Sequence, residues 1–191
     1  MGNIRVIRCP IEGLYIIEPE VHGDERGYFC ETYSERDMHA AGIDMHFVQD
    51  NESMSTKGVL RGLHFQVNHP QGKLVRALYG RVYDVAVDIR PGSPTYGQHF
   101  GVELSAENHR QFCIAPGFAH GYVALSDKAV FAYKVTDFYH PEDEAGIMWN
   151  DPSLGVVWPG VSVADETLND GTPLTINIRD RNWPLLSDLQ G

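Results

Sequence analysis

From Phe47 onward the chain consists of short β-rich runs separated by glycine, proline, asparagine and aspartate, and this pattern restricts the fold more than any other feature. In the run Val82–Arg90, Val85 and Val87 fall on one face of a strand, whereas Asp84 and Asp88 fall on the other. Further strands are predicted at 100–104, 111–114, 121–125 and 130–137. Frequent turns with almost no helix predict an all-β, antiparallel jelly-roll sandwich.

The two ends of the chain complete this architecture. Residues 6–18 are predicted to form opening strands, and 22–31 a turn that leads into a strand. Ser34 is a suitable N-cap and Gly42 a suitable C-terminal residue for one short peripheral helix. From about residue 151 the chain becomes rich in proline and glycine and loop-like. With 191 residues and no linker, the sequence predicts a single domain over 1–191 with a loop-rich C-terminal extension.

Composition excludes several classes of function. The formal net charge is −11, which disfavours nucleic acid as a partner because its binding needs clustered Lys and Arg. No apolar run is long enough to span a membrane. The three cysteines are scattered and odd in number, which suits a cytoplasmic protein. Several of the 15 Lys and Arg residues fall inside motifs, which indicates a basic pocket in an acidic shell.

The segment Gly58–Lys73 places charged and titratable groups in an apolar strand-like frame. Arg61, His64 and Lys73 lie among β-forming residues, and unpaired charge in a buried strand is costly. The pattern therefore predicts an active-site cavity with anionic contents. In a regular strand Arg61 and His64 would point to opposite faces, so we expect a bulge at Gly62 if both serve one site.

Several segments carry a resemblance to a known family: 58–64 (Gly-Val-Leu-Arg-Gly-Leu-His), 84–90 (Asp-Val-Ala-Val-Asp-Ile-Arg) and 117–121 (Gly-Phe-Ala-His-Gly). Further segments are 24–27, 49–53, 71–73, 133–134 and 149–152. In this order and spacing the sequence resembles the dTDP-4-dehydrorhamnose 3,5-epimerase family of cupin-type jelly rolls, over roughly nine tenths of the chain.

The resemblance implies an isomerase that inverts C3 and/or C5 of a nucleotide-linked 4-keto-6-deoxyhexose, without metal or other cofactor. The expected reaction converts dTDP-4-dehydro-6-deoxy-D-glucose into dTDP-4-dehydro-L-rhamnose. His64 would be the base, Tyr133 the acid on the opposite face, and Lys73 the stabiliser of the enolate oxygen. The carboxylate that orients His64 is assigned to Asp180, with Asp165 and Asp170 as alternatives.

Substrate-binding residues follow from the same resemblance. Arg26 and Arg61 would grip the diphosphate, since arginine makes forked contacts with phosphate oxygens. The family is dimeric with shared active sites, so Arg26 is expected to act across the interface of a homodimer. The remaining substrate contacts are assigned to Phe29, Glu31, Gln49, Asn51, His120 and Phe138.

Taken singly, each of these residues has an ordinary structural interpretation, and only the joint pattern favours catalysis. Asp84 and Asp88 look like a catalytic pair of carboxylates, but they are interpreted as structural or pocket-lining. Close rivals are a single-centre epimerase and an enzyme for a sugar on another nucleotide. A metal-dependent cupin is disfavoured because Gln66 stands two residues after His64. A carbohydrate-binding jelly roll would leave the set of acid, base and lysine unexplained.

Overall fold

The computed structural model describes residues 4–190 and confirms an all-β antiparallel architecture. Two sheets face each other and enclose the main core. The first has six strands in the order β1-β2-β10-β7-β12-β5, and the second has five in the order β13-β6-β11-β8-β9. The strands of the first sheet are β1 (Ile4–Arg8), β2 (Leu14–Pro19), β5 (Gln49–Thr56), β7 (Lys73–Tyr79), β10 (Gln111–Ile114) and β12 (Lys128–Val135).

The second sheet carries the central strands of the predicted motif set. Its strands are β6 (Leu60–Gln66), β8 (Arg81–Asp88), β9 (His99–Ser105), β11 (Phe118–Ala124) and β13 (Glu144–Gly146). Strand β13 was not predicted from the sequence. It is only three residues long and pairs with β6, which places Gly146 opposite His64 and Glu144 opposite Gln66.

The smaller elements lie outside the two sheets. A hairpin pairs β3 (Val21–Asp24) with β4 (Gly27–Cys30), where the sequence had suggested a turn and one strand. The helix α1 (Glu35–Ala40) begins after Ser34, whose side chain accepts from the Asp37 N–H, and Gly42 follows it with a φ of +82°, both as predicted. The remaining elements are the two-stranded pair β14 (Val161–Ser162) and β15 (Thr167–Leu168) and the 3-10 helices Pro141–Asp143 and Leu186–Gln190.

Three apolar layers hold these parts together. The central layer fills the space between the sheets, with Phe112, Phe118 and Phe131 almost fully enclosed. A second layer packs the C-terminal extension against the outer face of the five-stranded sheet, and a third packs α1 on the six-stranded sheet. Because the extension contributes Trp158 to the second layer, it is built into the fold although its sequence reads as loop. Burial of such aromatic surface stabilises the arrangement.

Candidate active site

A cavity of about 160 Å³ lies between the two sheets, and four of their strands supply most of its wall. Strands β6 and β11 form one side, and β7 and β12 form the other. The cavity brings together five of the residues proposed from the sequence. These are Arg61, His64, Lys73, His120 and Tyr133.

The irregularity expected at Gly62 is present. Three steps along β6, from Arg61 to His64, face two steps along β11, from Tyr122 to His120, so β6 contains one extra residue. Gly62 has a φ of +131°, and a Cβ there would lie 2.6 Å from the Cα of Gly121. The extra residue changes the alternation of β6, so that both Arg61 and His64 reach the cavity.

His64 is held by a fully enclosed carboxylate on the C-terminal segment. Its Nε2–H donates to Oδ1 of Asp180 over 2.7 Å, and Asp180 also accepts from the Gly62 N–H and from Trp183 Nε1, both at 3.2 Å. Burial alone would raise the pKa of Asp180, but these hydrogen bonds, led by that from His64, hold it below its ordinary value. An ionised carboxylate on Nε2 leaves Nδ1 with the lone pair, so this ring can accept a proton from the cavity.

The opposite side of the cavity carries a phenol and an ammonium group. Burial raises the pKa of Tyr133, and the nearby Tyr122 adds to the effect, so the hydroxyl keeps its proton. Burial lowers the pKa of Lys73 to about 8, while the charges of Asp84 and Glu144 act against that fall. The cavity therefore has a proton acceptor on one side and a proton donor and a cation on the other.

His120 stands next to His64 in the sheet, since the two residues are direct partners in the β6–β11 pairing. Its Nε2–H lies 3.0 and 2.9 Å from the two oxygens of Asp84, a carboxylate of β8 with no exposed surface. Two imidazoles of the cavity wall are thus each hydrogen-bonded to an enclosed carboxylate behind them. Asp84 is one of the two residues that the sequence suggested as structural or pocket-lining.

Arg61 is oriented by a short chain of hydroxyl groups. Its Nε donates to the Oγ of Ser55 over 3.2 Å, and this hydroxyl is 3.1 Å from the OH of Tyr122. The same phenol lies 3.0 Å from Ser53. The side chain of Arg61 remains exposed and makes no ion pair with any residue in the described range 4–190. Its charge is therefore free to meet an anion at the cavity mouth.

The other proposed substrate contacts do not line this cavity. Gln49 donates to Asn51 over 2.8 Å on the edge strand β5, where Asn51 is the register partner of Tyr133. Phe138 is 59% exposed beyond the end of β12; its carbonyl oxygen accepts from Gln66 and Gln71, and its N–H donates to Asp137.

The remaining three proposed contacts lie on or beside the β3–β4 hairpin. Arg26 is exposed and pairs with Asp24, and Phe29 is 68% exposed. Glu31 has one fully buried oxygen that finds no hydrogen-bond partner within residues 4–190. Arg26 and Phe29 line a separate depression of their own hairpin rather than the cavity.

Tyr139 and Glu144 are among the cavity residues that the sequence reasoning missed. The OH of Tyr139 donates to Oε2 of Glu144 over 2.8 Å, and Arg179 donates to the same oxygen. Glu144 falls in a Pro-Glu-Asp-Glu run, which is typical of an exposed turn. Only the pairing of β13 with β6 brings it to the site, and no local signal in the sequence announces that pairing.

The described residues contain neither a cluster of metal ligands nor a membrane-spanning helix. No group of three or more His, Cys, Asp or Glu side chains in the range 4–190 is arranged to hold a metal ion. Nor does any helix in that range have the length and apolar character needed to cross a membrane.

Fold and cavity together define the class: a cupin-type jelly roll whose interior cavity is lined by an imidazole on one side and by a phenol and an ammonium group on the other. The chain belongs to the dTDP-4-dehydrorhamnose 3,5-epimerase family, whose model matches residues 8–188. It is 52% identical over 188 residues to the dTDP-4-dehydrorhamnose 3,5-epimerase of Methanothermobacter thermautotrophicus, which covers 98% of this chain and 97% of the relative.

Solved structures give the same result. The chain is similar to dTDP-6-deoxy-D-glucose-3,5-epimerase from Legionella pneumophila, solved in complex with dTDP-4-keto-L-rhamnose. The TM-score is 0.88 at 51% identity, covering 96% of this chain and 93% of the other. It also resembles a 3′-monoepimerase from Streptomyces bikiniensis in complex with dTDP-quinovose, with a TM-score of 0.83 at 32% identity, covering 95% and 88%.

Proposed function

We propose that this protein is a dTDP-4-dehydrorhamnose 3,5-epimerase, which inverts C3 and C5 of dTDP-4-dehydro-6-deoxy-D-glucose to give dTDP-4-dehydro-L-rhamnose. The observation that carries the proposal is the placement of His64 and Tyr133 on opposite sides of one cavity. Inversion at a carbon beside a ketone requires removal of its proton on one face and delivery on the other. A cavity with both groups on one side would not meet this requirement.

The proposed reaction starts with the imidazole. His64 Nδ1 removes the proton from a carbon next to the C4 ketone, and Asp180 stabilises the imidazolium that forms. The electron pair moves to the carbonyl oxygen, and the ammonium group of Lys73 stabilises this enolate. Tyr133 then delivers its proton to the carbon from the other side. The ketone makes the C–H bond acidic, so the proposed reaction uses no metal or redox cofactor.

The nucleotide end of the substrate is assigned to the cavity mouth. Arg61 would bind the diphosphate, because its guanidinium faces outward with no acidic partner within the described residues. Gln49 and Asn51 stand beside Tyr133 on the edge strand and would contact the sugar or phosphate. His120 would contact the sugar inside the cavity, and Phe138 would contact the base. Phe29 and Glu31 would act from the hairpin with Arg26, as described next.

The hairpin supports a homodimer with shared active sites. Strand β5 is an open edge of the six-stranded sheet, and β3–β4 pairs with no other strand in the described range. Tyr28 and Phe29 are 65% and 68% exposed, and adjacent aromatic residues exposed to this degree are typical of a surface that a second protein covers. Adding the hairpin of one protomer to the β5 edge of the other would cover both surfaces. Arg26, Phe29 and Glu31 would then serve the neighbouring cavity.

Mixing two inactive variants tests this sharing. His64→Asn and Arg26→Ala dimers, dissociated and reassociated together, should recover about a quarter of the wild-type number of intact sites, because half of the dimers are mixed and each holds one intact cavity. No recovery, or a monomer by light scattering, would contradict sharing.

The three cysteines are free, which supports a location in the reducing cytoplasm.

The function itself is tested with a panel of nucleotide-linked 4-keto-6-deoxyhexoses. We expect the dTDP sugar to be converted, with solvent deuterium incorporated at both C3 and C5 and inversion at both centres by NMR. Deuterium at only one position would instead identify a single-centre epimerase, the alternative that the similarity to a 3′-monoepimerase keeps open. Turnover of a sugar on another nucleotide alone would contradict the substrate. A loss of activity with chelators would favour a metal-dependent cupin.

A further inference from the structure

Asp84 is an enclosed carboxylate that has one hydrogen-bonding partner. It lies on the side of β8 that faces the other sheet, and it has no exposed surface. Within residues 4–190 its two oxygens accept only from Nε2 of His120. Charge in such a place is costly unless other charge compensates it. A single imidazole N–H provides little compensation, so a further positive group is needed nearby.

Lys73 supplies that positive charge, and because it is itself buried it needs a negative charge nearby. It projects from the opposite sheet and is 8% exposed, and its ammonium group makes no hydrogen bond or ion pair with any described residue. Burial lowers its pKa to about 8, and the first charge that opposes this fall is Asp84, followed by Glu144. In turn, Lys73 and His120 oppose the rise in the pKa of Asp84 that burial causes. The charge on each group therefore shifts the pKa of the other toward the charged form.

The other titratable and charged groups around Lys73 do not replace Asp84. The second sheet contributes Arg61, His64, His120, Tyr122 and Glu144, the first contributes Tyr133, and Tyr139 lies beyond the end of β12. Only Glu144 among them is a carboxylate, and its Oε2 already accepts from Tyr139 and Arg179. Of the two carboxylates whose charges oppose the fall in the pKa of Lys73, Asp84 is therefore the one that accepts from no arginine or tyrosine within residues 4–190.

Asp88 shows what a purely structural carboxylate looks like in this strand. It lies four residues further along β8, on the same face, and also has no exposed surface. It accepts bonds from the backbone and side chain of Arg90 and from the hydroxyls of Ser93 and Thr95. These bonds outweigh burial, so the pKa of Asp88 is lowered, whereas that of Asp84 is raised. Asp84 lacks the donors that a structural role would require.

We propose that Asp84 is a positioning residue, which fixes the ring of His120 and supplies the buried negative charge that keeps Lys73 an ammonium ion. The inference rests on the proposed function only in giving that ammonium ion an enolate to stabilise. A neutral amine in the same place would stabilise the enolate far less, because it carries no charge. Asp84 touches neither substrate nor reacting atoms in this scheme and acts through its two neighbours.

Titration of Lys73 tests the proposal without substrate. The chain has only four lysines, at positions 57, 73, 128 and 134, so protein labelled with ¹³C-lysine gives four side-chain signals, and the one lost in Lys73→Met identifies residue 73. In the wild type this signal should titrate near pH 8. In Asp84→Asn it should move down by roughly one pH unit, as expected when an opposite charge near a buried group is removed. An unchanged titration would overturn the proposal.

Asp88→Asn is the matched control. It removes the charge of an equally enclosed aspartate on the same face of the same strand, and it should leave the titration of Lys73 unchanged. An equal shift in both variants would overturn the assignment to Asp84. If Asp84→Asn does not fold, infrared spectra of the wild type give a second measurement. A protonated carboxyl band at pH 7 assigned to a buried aspartate by ¹³C-aspartate labelling would contradict an ionised Asp84.

The kinetic readout separates positioning from a general loss of structure. In Asp84→Asn the alkaline limb of kcat/KM should move to lower pH together with the Lys73 signal. A merely structural defect would lower kcat/KM by the same factor at every pH, which would contradict the proposal. An inactive wild-type protein would refute the epimerase assignment. It would not affect the test of Asp84 and Lys73, because the titration needs no substrate.

Discussion

Replacing Asp180 by asparagine isolates the contribution of the carboxylate behind His64. The amide has nearly the same shape, so the enclosed site stays filled, but it loses the charge that faces Nε2 at 2.7 Å. Asparagine can also present its NH₂ group to the ring and favour the wrong tautomer. In serine proteases the corresponding change costs about 10⁴ in kcat, and general base catalysis is worth roughly 10²–10⁴. We therefore expect kcat to fall by about 10²–10⁴ with little change in KM.

The assay measures product formation and deuterium incorporation from D₂O into the nucleotide sugar. Asp165→Asn is the control, because that residue was the alternative partner for His64 and instead accepts from Ser162 in the extension. It should retain activity close to that of the wild type. Activity of Asp180→Asn within about threefold of the wild type would refute the reasoning, since a factor that small lies well below the 10²–10⁴ typical of general base catalysis. Equal losses in the two variants would refute it as well.

Other predictions concern charge. Lys73→Met removes the cation but keeps a chain of similar length, and kcat should fall by about 10²–10³, as for loss of one enolate-stabilising group; a change confined to KM would contradict this role. Arg61→Ala should mainly raise KM for the dTDP sugar, measured against Arg81→Ala, whose guanidinium lies at the surface 3.9 Å from Glu103. Five hydrogen bonds from Asn68 and His69 outweigh burial and hold the pKa of Asp143 at about 2. Because this pKa is depressed, its stabilisation is complete above the ordinary 3.8 and is lost as the pH falls through about 2. Asp143→Asn should flatten acid unfolding in that window, followed by circular dichroism, and an unaltered acid transition would contradict this.

The strands of the two sheets could be predicted because the sequence patterns that identify a strand are local. Gln111–Ile114 was predicted with the bounds that the structure gives, since a short apolar run there is flanked by turn residues. The alternation of Val82–Arg90 also identified a strand, but not its surroundings. The face with Asp84 and Asp88 is enclosed as completely as the face with Val85 and Val87. An alternating strand usually has one face exposed to solvent. Here the C-terminal extension covers the outer face, which carries Val85 and Val87, and the face with Asp84 and Asp88 is turned toward the other sheet.

The extension itself shows why composition misleads in this region. Its prolines and glycines predict loop, and most of it has no regular hydrogen bonding. Trp158, Leu174 and Ile176 nevertheless pack on the outer face of the second sheet. That packing carries Asp180 to His64, across 116 positions of sequence. No local pattern specifies such a contact, so the choice among Asp165, Asp170 and Asp180 came from the family resemblance.

The cavity residues also divide into those that a local sequence pattern identifies and those that only strand pairing brings to the site. His64 and Lys73 could be singled out because charged and titratable side chains are unusual in an apolar strand. Tyr139 and Glu144 could not, because an aromatic and an acidic residue near a proline are ordinary in a turn. Their place in the cavity depends on β13 pairing with β6, a three-residue strand with no periodicity to detect. The bulge at Gly62 was predictable, since two functional residues three apart required it.

The division of labour between His64 and Tyr133 is tested most directly by proton exchange in D₂O, followed separately at C3 and C5 of the dTDP sugar. The account predicts that Tyr133→Phe incorporates deuterium without inverting the carbon, because the imidazole returns a proton to the face from which it took one, whereas His64→Asn incorporates none. Exchange by His64→Asn at the wild-type rate, or full inversion by Tyr133→Phe, would contradict proton transfer across the two sides of this cavity.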